Sequence, residues 1–555
     1  MGRHGDPRRQ QGAGLHDLAG ADVLARQVRG DRGRRGHGDH HQPRRHRRPE
    51  PRLHAEQPRR RHGAFAAADG VGDLHGRQAG RLLVLLPVVL PRAPHGDARP
   101  DAGAAAGNLT VARVRILIAG LLVLVACAAG AAERVVQPGA GALVQAVAGA
   151  APGDVLILAP GRHDGPVTLN KPLTLDGRGA AIVDAGGEGS VITVTAPDVT
   201  VRGLELVGSG SSHEGIDSGV QLTQDATGAR VLDNRILGNL YGVDIHGAKG
   251  SLVQGNTIVG RRDHRMNDRG NGVYVWNAPG AEVAENDIRY GRDGIFTNVS
   301  RDNVFRDNLF RDLRFAVHYM YTHGGEVTGN VSIGNHLGYA LMFSDRITVR
   351  GNLSLGDRDH GLMLNYANSA DVVGNLVRGG QEKCTFIYNA HKNLIANNRF
   401  EGCGIGVHFT AGSERNALTG NAFVGNRTQV KYVGSRHVEW SLEGRGNYWS
   451  DHPAFDLDSD GIADSPFRPN DLMDHILWSQ PAAALLTGAP AVQLIRWSQA
   501  SFPATLPGGV LDSHPLTRPV EIPVPPEIAA LEADSRPDGG DKGQDDDEFD
   551  PLAAH

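Results

Sequence analysis

From residue 231 onward, apolar and polar positions alternate over short stretches that recur at a nearly constant interval. An asparagine occupies the same place in each repeat, and successive intervals are 22, 30, 22, 22, 22, 23, 23 and 23 residues. The one long interval contains an insertion, residues 261–268, whose removal restores 22. Short alternating segments are typical of β-strands and exclude a helical repeat. The recurring asparagines are Asn234, Asn256, Asn286, Asn308, Asn330, Asn352, Asn375, Asn398 and Asn421.

Three short strands and three turns per repeat predict an all-β fold, a right-handed parallel β-helix over residues 133–447. Consecutive coils of such a solenoid lie ~4.8 Å apart. The recurring asparagine is expected to adopt left-handed backbone angles at a turn and to hydrogen-bond to the asparagine of the next coil. Less regular coils are predicted upstream, and a short helix at residues 142–147 is expected to close the open end. The predicted upstream strands are residues 155–158, 167–169, 173–175, 191–194 and 199–206.

One outward face of the predicted solenoid has an unusual composition. A solvent-facing sheet normally carries Thr, Ser, Lys and Glu, whereas this one concentrates aromatic, histidine and methionine side chains, which marks a candidate binding surface. Met320 and Met342 are expected to lie on consecutive coils, beside His318 and Met363 in the neighbouring column. Thioether and imidazole groups are soft ligands that favour copper over magnesium or calcium. The candidate copper ligands are His246, His318, Met320, Met342, Met363 and His408, and the exposed aromatic residues are Tyr274, Trp276, Phe296, Phe386 and Tyr388. The alternative is that these side chains pack under a long loop or another subunit.

Two further features carry candidate chemistry. Carboxylates at alternate positions before a glycine suit a hard cation such as calcium, although Phe467 replaces the glutamate that would complete an EF-hand. The candidate calcium ligands are Asp456, Asp458, Asp460 and Asp464, with a solvated acidic turn as the alternative. Cys384 and Cys403 lie less than one coil apart, so a disulfide, a thiolate copper ligand and two buried thiols all remain open.

The first 110 residues differ sharply in composition from the rest. They contain 20 arginines, 11 acidic residues and no Lys, Ile or Ser. Their formal charge is therefore +9, and since the whole chain carries −5, residues 111–555 carry −14. Our hypothesis is that residues 1–110 are a mistranslated, disordered extension from a wrongly chosen upstream start. Their detection by peptide mass spectrometry of the native protein would contradict it. The acidic remainder argues against a nucleic-acid partner.

Residues 111–132 have the pattern of a secretory signal peptide, because two arginines precede ten apolar residues and then small residues. This predicts export to the periplasm, with lipoprotein anchoring through Cys127 as the alternative. After the β-helix we expect a C-terminal cap or partner-docking segment over residues 448–531. Residues 472–486 and 491–502 carry apolar residues at broadly helical spacing and are candidates for either role. A disordered acidic tail is predicted over residues 532–555.

The chain resembles the NosD family in the order of its segments. These are the signal peptide, the coils marked by asparagine, residues 446–452, the Asp-rich loop with residues 465–467, and residues 472–515. Members of the family are periplasmic copper-handling β-helix proteins of nitrous oxide reductase maturation in denitrification, and the resemblance covers residues 114–520. It implies an accessory protein rather than an enzyme, which docks on the membrane subunit of an ABC-type transporter and its ATPase. It further implies copper delivery for the copper-sulfide centre of nitrous oxide reductase, with a copper chaperone as a further partner.

Two other classes of protein fit part of the pattern. Aromatic-lined β-helix grooves suit sugar chains, which allows a polysaccharide lyase, hydrolase, epimerase or binding solenoid in which Asp244, His246, His318 or Tyr388 acts as acid or base. A structural adhesin is favoured if the outward face is covered. Stacked methionines have no evident role on a sugar.

Overall fold

The computed structural model describes residues 131–410, 412–434, 436–486, 488–501 and 508–535. These form an all-β right-handed solenoid of about 14 turns with about 23 residues per coil, as the repeat predicts. The proposed extension, residues 1–110, and all but the last two residues of the predicted signal peptide lie outside the described residues. Every coil-to-coil strand pairing in the solenoid is parallel, so equivalent residues of successive coils form columns along its length.

The strands belong to two large sheets and one small one. The twelve-stranded sheet comprises Val167–Leu169, Ile192–Val194, Ser218–Leu222, Tyr241–His246, Val273–Trp276, Asp293–Asn298, Phe315–Met320, Leu337–Met342, His360–Asn365, Lys383–Tyr388, Ile405–Thr410 and Thr428–Val433. The 24-stranded sheet bends across the other two faces. Its upstream strands are Glu133–Val136, Val155–Leu158, Gly161–Asp164, Thr174–Asp184 and Thr200–Val207.

The rest of the 24-stranded sheet consists of two short strands in most coils. One series is Arg230–Leu232, Leu252–Gln254, Glu282–Ala284, Arg301–Arg306, His323–Thr328, Thr348–Arg350, Asp371–Val373, Leu394–Ala396 and Ala417–Thr419. The other is Arg235–Leu237, Thr257–Val259, Asp287–Arg289, Leu309–Arg311, Val331–Ile333, Leu353–Leu355, Leu376–Arg378, Arg399–Glu401, Ala422–Val424 and Tyr448–Trp449. The small sheet pairs His437–Glu439 with Gly509–Leu511.

The predicted asparagine ladder is confirmed. The side-chain amide of Asn308 donates to the amide oxygen of Asn330 at 2.9 Å, and the same bond recurs from Asn234 to Asn421 and on to Asn447. The expected backbone conformation at these asparagines is wrong, because the left-handed angles belong to the residue just before each one, such as Asp307 or Gly329. The buried amide is thereby free to bond along the solenoid axis, which satisfies polar groups inside the core.

Both ends of the apolar core are closed. At the N-terminal end, helix α1, Ala142–Gly149, buries Leu143 and Val147 against the first coils, as predicted. At the other end, the ring of Trp449 stacks on Phe423 of the last full coil with centroids 4.3 Å apart. Asp512 then accepts hydrogen bonds from the backbone of Asn447 and the indole of Trp449, which ends the asparagine ladder.

Beyond the last coil, helices α2, Leu472–Ser479, and α3, Pro490–Ser501, flank a 3-10 turn at Pro481–Leu486. Phe502, at the end of the second predicted helical segment, lies outside the described residues. A short 3-10 turn at Met266–Asp268 lies within the insertion that interrupts the repeat.

The chain then runs back along the solenoid as a strap, residues 516–535, which ends in helix α4, Pro526–Ser535. Apolar side chains of the strap pack on an outward apolar stripe that includes Leu353 and Leu376. Glu532, where the disordered tail was predicted to begin, is instead buried in this helix, because its carboxylate pairs with Arg378. The strap residues in this packing are Ile522, Val524, Ile528 and Leu531.

Candidate metal centre

The twelve-stranded sheet presents three outward columns, which we call the outward face. Parallel register places Met320 directly beside Met342 of the next coil, as predicted, and it places His318 beside Ala340. Met363 follows Ala340 in the same column. The central column contains Asp244, Tyr274, Phe296, His318, Ala340, Met363, Phe386 and His408; the second contains His246, Trp276, Asn298, Met320, Met342, Asn365, Tyr388 and Thr410; the third contains Asp293, Phe315, Leu337, His360 and Lys383.

The middle of the outward face is buried rather than open to solvent. Met342 is 2% exposed and Met363 is 0% exposed, in one apolar cluster with Phe315 and Leu337 of the third column. Met320 lies at the edge of this cluster, together with Phe343 and Tyr388. Side chains of the three columns therefore bury one another in the middle of this face within the single chain. We call His318, Met320, Met342 and Met363 the methionine cluster.

Ala340 lies among these four residues. It is between His318 and Met363 in the central column, and Met342 follows it on the same face of its strand. We call the position of this small side chain the notch; Ala340 is 0% exposed and packs in the same apolar cluster as Met342 and Met363. The register therefore places one imidazole and three thioethers on neighbouring positions of the outward face.

A buried ion pair fixes the orientation of His318. Arg314 donates two hydrogen bonds to Asp293, from Nε at 2.8 Å and from Nη2 at 2.7 Å. Burial raises the pKa of Asp293, but the charge of Arg314 and the hydrogen bond from His318 outweigh burial and hold that pKa well below its usual range. An ionised carboxylate only accepts hydrogen bonds, so Nδ1 of His318, 3.1 Å from Oδ2 of Asp293, carries the proton.

The opposite ring nitrogen of His318 is left with its lone pair. Nε2 is buried and has no hydrogen-bond partner among the described residues. Burial lowers the pKa of His318, more than Asp293 raises it, so the imidazole is neutral at pH 7. A neutral imidazole held through its other nitrogen by a carboxylate is the arrangement found around metal-ligating histidines. Neither Asp293 nor Arg314 was predicted from the sequence: Asp293 lies 25 residues before His318, on the preceding coil, and Arg314 lies only four residues before it.

The six predicted copper ligands do not form one group. His246 is three coils from His318, about 14 Å at the coil spacing, and stacks on Trp276 with centroids 4.2 Å apart. His408 is two coils beyond Met363 and lies next to Lys431. Burial, followed by the charges of Lys431 and Lys383, lowers the pKa of His408 to about 3. A cation beside these lysines would be repelled, so His408 fits a copper site poorly.

The predicted aromatic residues form two stacked groups on either side of the methionine cluster. Tyr274 stacks on Phe296 at 5.4 Å, and Phe386 stacks on His408 at 4.8 Å. Tyr274, Trp276, Phe296 and Tyr388 are half-buried, whereas Phe386 is buried, which corrects its prediction as an exposed residue.

An unpredicted ladder of rings runs along the adjacent turn, where Tyr321, Phe343 and Tyr366 stack with centroids 5.0 and 5.2 Å apart. All three residues of the ladder have positive φ, an uncommon conformation for bulky side chains. This ladder borders the methionine cluster.

The acid and base candidates of the rival carbohydrate enzyme are spread over seven coils. Asp244 and His318 are three coils apart, and Tyr388 is three coils further on, so these three groups do not reach a common glycosidic bond, whereas His246 lies on the same strand as Asp244. Asp244 is nonetheless unusual, because it is 0% exposed and burial raises its pKa to about 7. Its single described hydrogen bond comes from Gln221 at 3.4 Å.

The acidic loop and the cysteines are also resolved. One carboxylate oxygen from each of Asp456, Asp458 and Asp460 lies within 4.8 Å of the others. Asp464 instead accepts a hydrogen bond from the backbone of Leu457.

Cys384 and Cys403 form a buried disulfide, which decides among the three alternatives and removes both sulfurs as thiolate ligands.

Fold and site together define a class: a parallel β-helix that holds a cluster of soft side chains on one face. A family model described as "Periplasmic copper-binding protein (NosD)" matches residues 254–454. A probable ABC transporter binding protein NosD from Stutzerimonas stutzeri is 40% identical over 375 residues, which cover 65% of this chain and 86% of that protein. The protein of the same description from Pseudomonas aeruginosa is 40% identical, with 65% and 87% covered. The chain therefore belongs to the NosD family.

More distant similarities are structural. The A-module of an Azotobacter vinelandii mannuronan C-5 epimerase is 14% identical with a TM-score of 0.43, covering 52% of this chain and 89% of that module. A mannuronic acid specific polysaccharide family 6 lyase from human gut microbiota is 13% identical with a TM-score of 0.41, covering 56% and 87%. At these values neither similarity bears on activity. Within the described ranges, every helix is too short or too polar to span a bilayer.

Proposed function

We propose that this protein is a periplasmic accessory protein that binds copper at the methionine cluster and passes it on for the copper-sulfide centre of nitrous oxide reductase. A copper chaperone supplies the metal, and an ABC-type transporter, with its membrane subunit and ATPase, is the docking partner. The observation that carries the proposal is the buried, unpartnered Nε2 of a neutral His318, on the part of the outward face that also carries Met320, Met342 and Met363.

The donor set favours copper(I) over harder ions. Thioethers are neutral soft ligands, and a neutral imidazole completes a set that suits copper(I) and offers magnesium or calcium no oxygen. The nearby carboxylate, Asp293, is already paired with Arg314 and orients His318 through its other nitrogen. Burial of Met342 and Met363 keeps water from the metal.

The apolar surface of the C-terminal helices supports the docking part of the proposal. Leu485 is 91% exposed, Leu494 and Trp497 are each 64% exposed, and Leu486 is 60% exposed. Exposed clusters of large apolar side chains mark interaction sites in soluble proteins. We assign this surface to the membrane subunit of the transporter.

The proposal is tested by closing the notch without removing a ligand. Ala340→Leu is expected to weaken copper(I) binding at least tenfold, because the larger side chain would stand between His318 and Met363 in register and beside Met342 on the same strand. Competition with a chromophoric copper(I) chelator measures this in the exported chain, after circular dichroism has verified the fold. Ala422→Leu, at another fully buried alanine on a different face, is the matched control. Unchanged copper affinity in Ala340→Leu, or no copper binding by the wild type, would contradict the proposal.

A second and smaller proposal concerns the acidic loop. We assign a structural calcium ion to Asp456, Asp458 and Asp460, with Asp464 bracing the loop through Leu457. Calcium is expected to raise the unfolding temperature by a few degrees, and Asp458→Asn is expected to remove that increase. Differential scanning calorimetry with calcium and with a chelator measures the effect. An equal calcium response in Asp458→Asn would refute the assignment, and magnesium serves as the control ion.

A further inference from the structure

Most of the methionine cluster is closed off from solvent. His318 is 6% exposed, Met342 2% and Met363 0%, whereas Met320 is half-buried. A copper ion that binds to the three buried donors must therefore pass other side chains of the outward face. Its route depends on which neighbours of the cluster are exposed.

The second-column edge is the open side of the cluster. On the opposite side, Phe315 and Leu337 of the third column are 2% and 0% exposed. Among the described residues, the partly buried apolar side chains that pack against the cluster are Met320, Phe343 and Tyr388. Two of these, Met320 and Tyr388, belong to the second column, and Phe343 lies in the turn that follows it. Solvent and ligands thus meet the cluster at this edge.

The turn that follows the second column carries an unusual set of side chains. Its first residue has positive φ in seven successive coils, a conformation that glycine and asparagine tolerate and that bulky side chains rarely adopt. Among these seven positions, aromatic rings occupy only the three that follow the coils carrying the four donors. Strained backbone of this kind is concentrated at active sites and ligand clamps. The seven residues are Gly247, Asn277, Val299, Tyr321, Phe343, Tyr366 and Asn389.

The three rings form one stack with Phe343 in the middle. Its ring centroid lies 5.0 Å from that of Tyr321, at an interplanar angle of 19°, and 5.2 Å from that of Tyr366, at 8°. Tyr321 and Tyr366 are 50% and 43% exposed. The hydroxyl of Tyr366 accepts a hydrogen bond from Nδ2 of Asn389 at 3.0 Å. Because the ring faces cover one another, the stack presents edges to solvent, which suits a cover over the cluster better than a platform for a planar ligand.

We propose that copper enters and leaves the methionine cluster past Phe343, which acts as a gate held closed by Tyr321 and Tyr366. Met320, the half-buried donor at the same edge, is the first ligand that the ion meets. The gate limits the rate of exchange and leaves the affinity unchanged, because Phe343 is not a ligand and slows entry and release by the same factor. The copper part of this inference rests on the proposed function, whereas the cover over the methionine sulfurs does not.

Oxidation of the methionines in the metal-free protein tests the gate. Phe343→Asn removes the ring and introduces a residue that fits this turn, as Asn277 and Asn389 demonstrate at the equivalent positions. With dilute hydrogen peroxide, we expect Met342 to be converted to the sulfoxide on the order of tenfold faster in this variant than in the wild type. Tandem mass spectrometry locates the sulfoxide, and circular dichroism verifies the fold.

Two further variants distinguish a gate from a general loss of packing. Tyr366→Asn leaves the ring of Phe343 in place but removes one of its supports, so Met342 is expected to oxidise about threefold faster, through more frequent local opening. Val299→Asn, the matched control, changes the same turn position one coil before Tyr321, where the side chain is 53% exposed, and is expected to have no effect. The gate is overturned if Met342 oxidises at the wild-type rate in either ring variant, or if Val299→Asn accelerates it equally.

Copper release tests the route itself. The copper(I)-loaded Phe343→Asn protein is expected to transfer its metal to excess chromophoric chelator on the order of tenfold faster than the wild type, with a dissociation constant within about threefold of the wild-type value. Stopped-flow absorbance measures the release, and equilibrium competition gives the dissociation constant. Equal release rates beside faster oxidation of Met342 would overturn this route for copper. The oxidation rates need no bound metal, so they decide the gate even in a chain that binds no copper.

Discussion

Replacing Met342 and Met363 together with leucine is expected to weaken copper(I) binding at least 100-fold while the fold is retained. Both side chains are buried, and an exchange of methionine for leucine keeps nearly the same volume, at a cost below about 1.5 kcal/mol each. The exchange removes two of four soft donors, a larger change than loss of a supporting group, which typically costs 10–100-fold in metal affinity. A chelator competition titration gives the affinity, and thermal unfolding verifies the fold.

The control for this experiment is Met473→Leu. Met473 is also buried, at 5% exposed, but it lies in helix α2 of the C-terminal cap and far along the chain from the cluster. It is expected to bind copper like the wild type. Wild-type affinity in the double variant would exclude the methionine cluster as the site. A comparable loss in Met473→Leu would show that the methionines act through stability.

The fold was predictable because a solenoid repeats its local rules. Each coil must place an apolar residue inside and an amide beside the amide of the next coil. The 22-residue interval between Asn308 and Asn330 is therefore enough to predict the length of a coil and the stacking of coils. The parallel register then follows, and with it the columns that place Met320 beside Met342. The turn conformation was not predictable in this way, because the choice of which residue takes positive φ depends on a single local torsion.

Burial of the site was harder to predict than its register. Alternation identifies which side of a strand a residue faces, but the cover over Met363 comes from a third column that includes Phe315 and Leu337.

The strap, residues 516–535, was not predicted for a related reason. Its partners on the solenoid, Leu353 and Leu376, are outward apolar residues whose need for cover becomes evident only when several coils are aligned.

The partners of His318 depend on three-dimensional contact alone. Asp293 comes from the preceding coil and bonds to His318 directly, whereas Arg314 acts on His318 through its bonds to Asp293, so no spacing rule identifies the pair. Because we expect the pair to matter both for stability and for the proposed metal centre, Asp293 is the most informative single position to vary.

Asp293→Asn is expected to lower the free energy of unfolding by about 3–5 kcal/mol, because it removes one partner of a buried ion pair and leaves the charge of Arg314 in the protein interior. Urea unfolding measures the change. The matched control is Asp287→Asn, since Asp287 also pairs with an arginine of the next coil, Arg311 at 3.0 Å, but is 30% exposed. That surface pair is expected to contribute at most about 1 kcal/mol.

The same variant is also expected to weaken copper(I) binding about 10- to 100-fold, the range typical for loss of a group that orients a metal ligand. Without the carboxylate, Nδ1 of His318 is no longer fixed as the protonated nitrogen, and Nε2 is no longer held as the free donor. Copper titrations are therefore made at a temperature where the variant is fully folded. If Asp293→Asn and Asp287→Asn have equal effects on both stability and copper, then Asp293 neither supports the buried arginine nor positions His318.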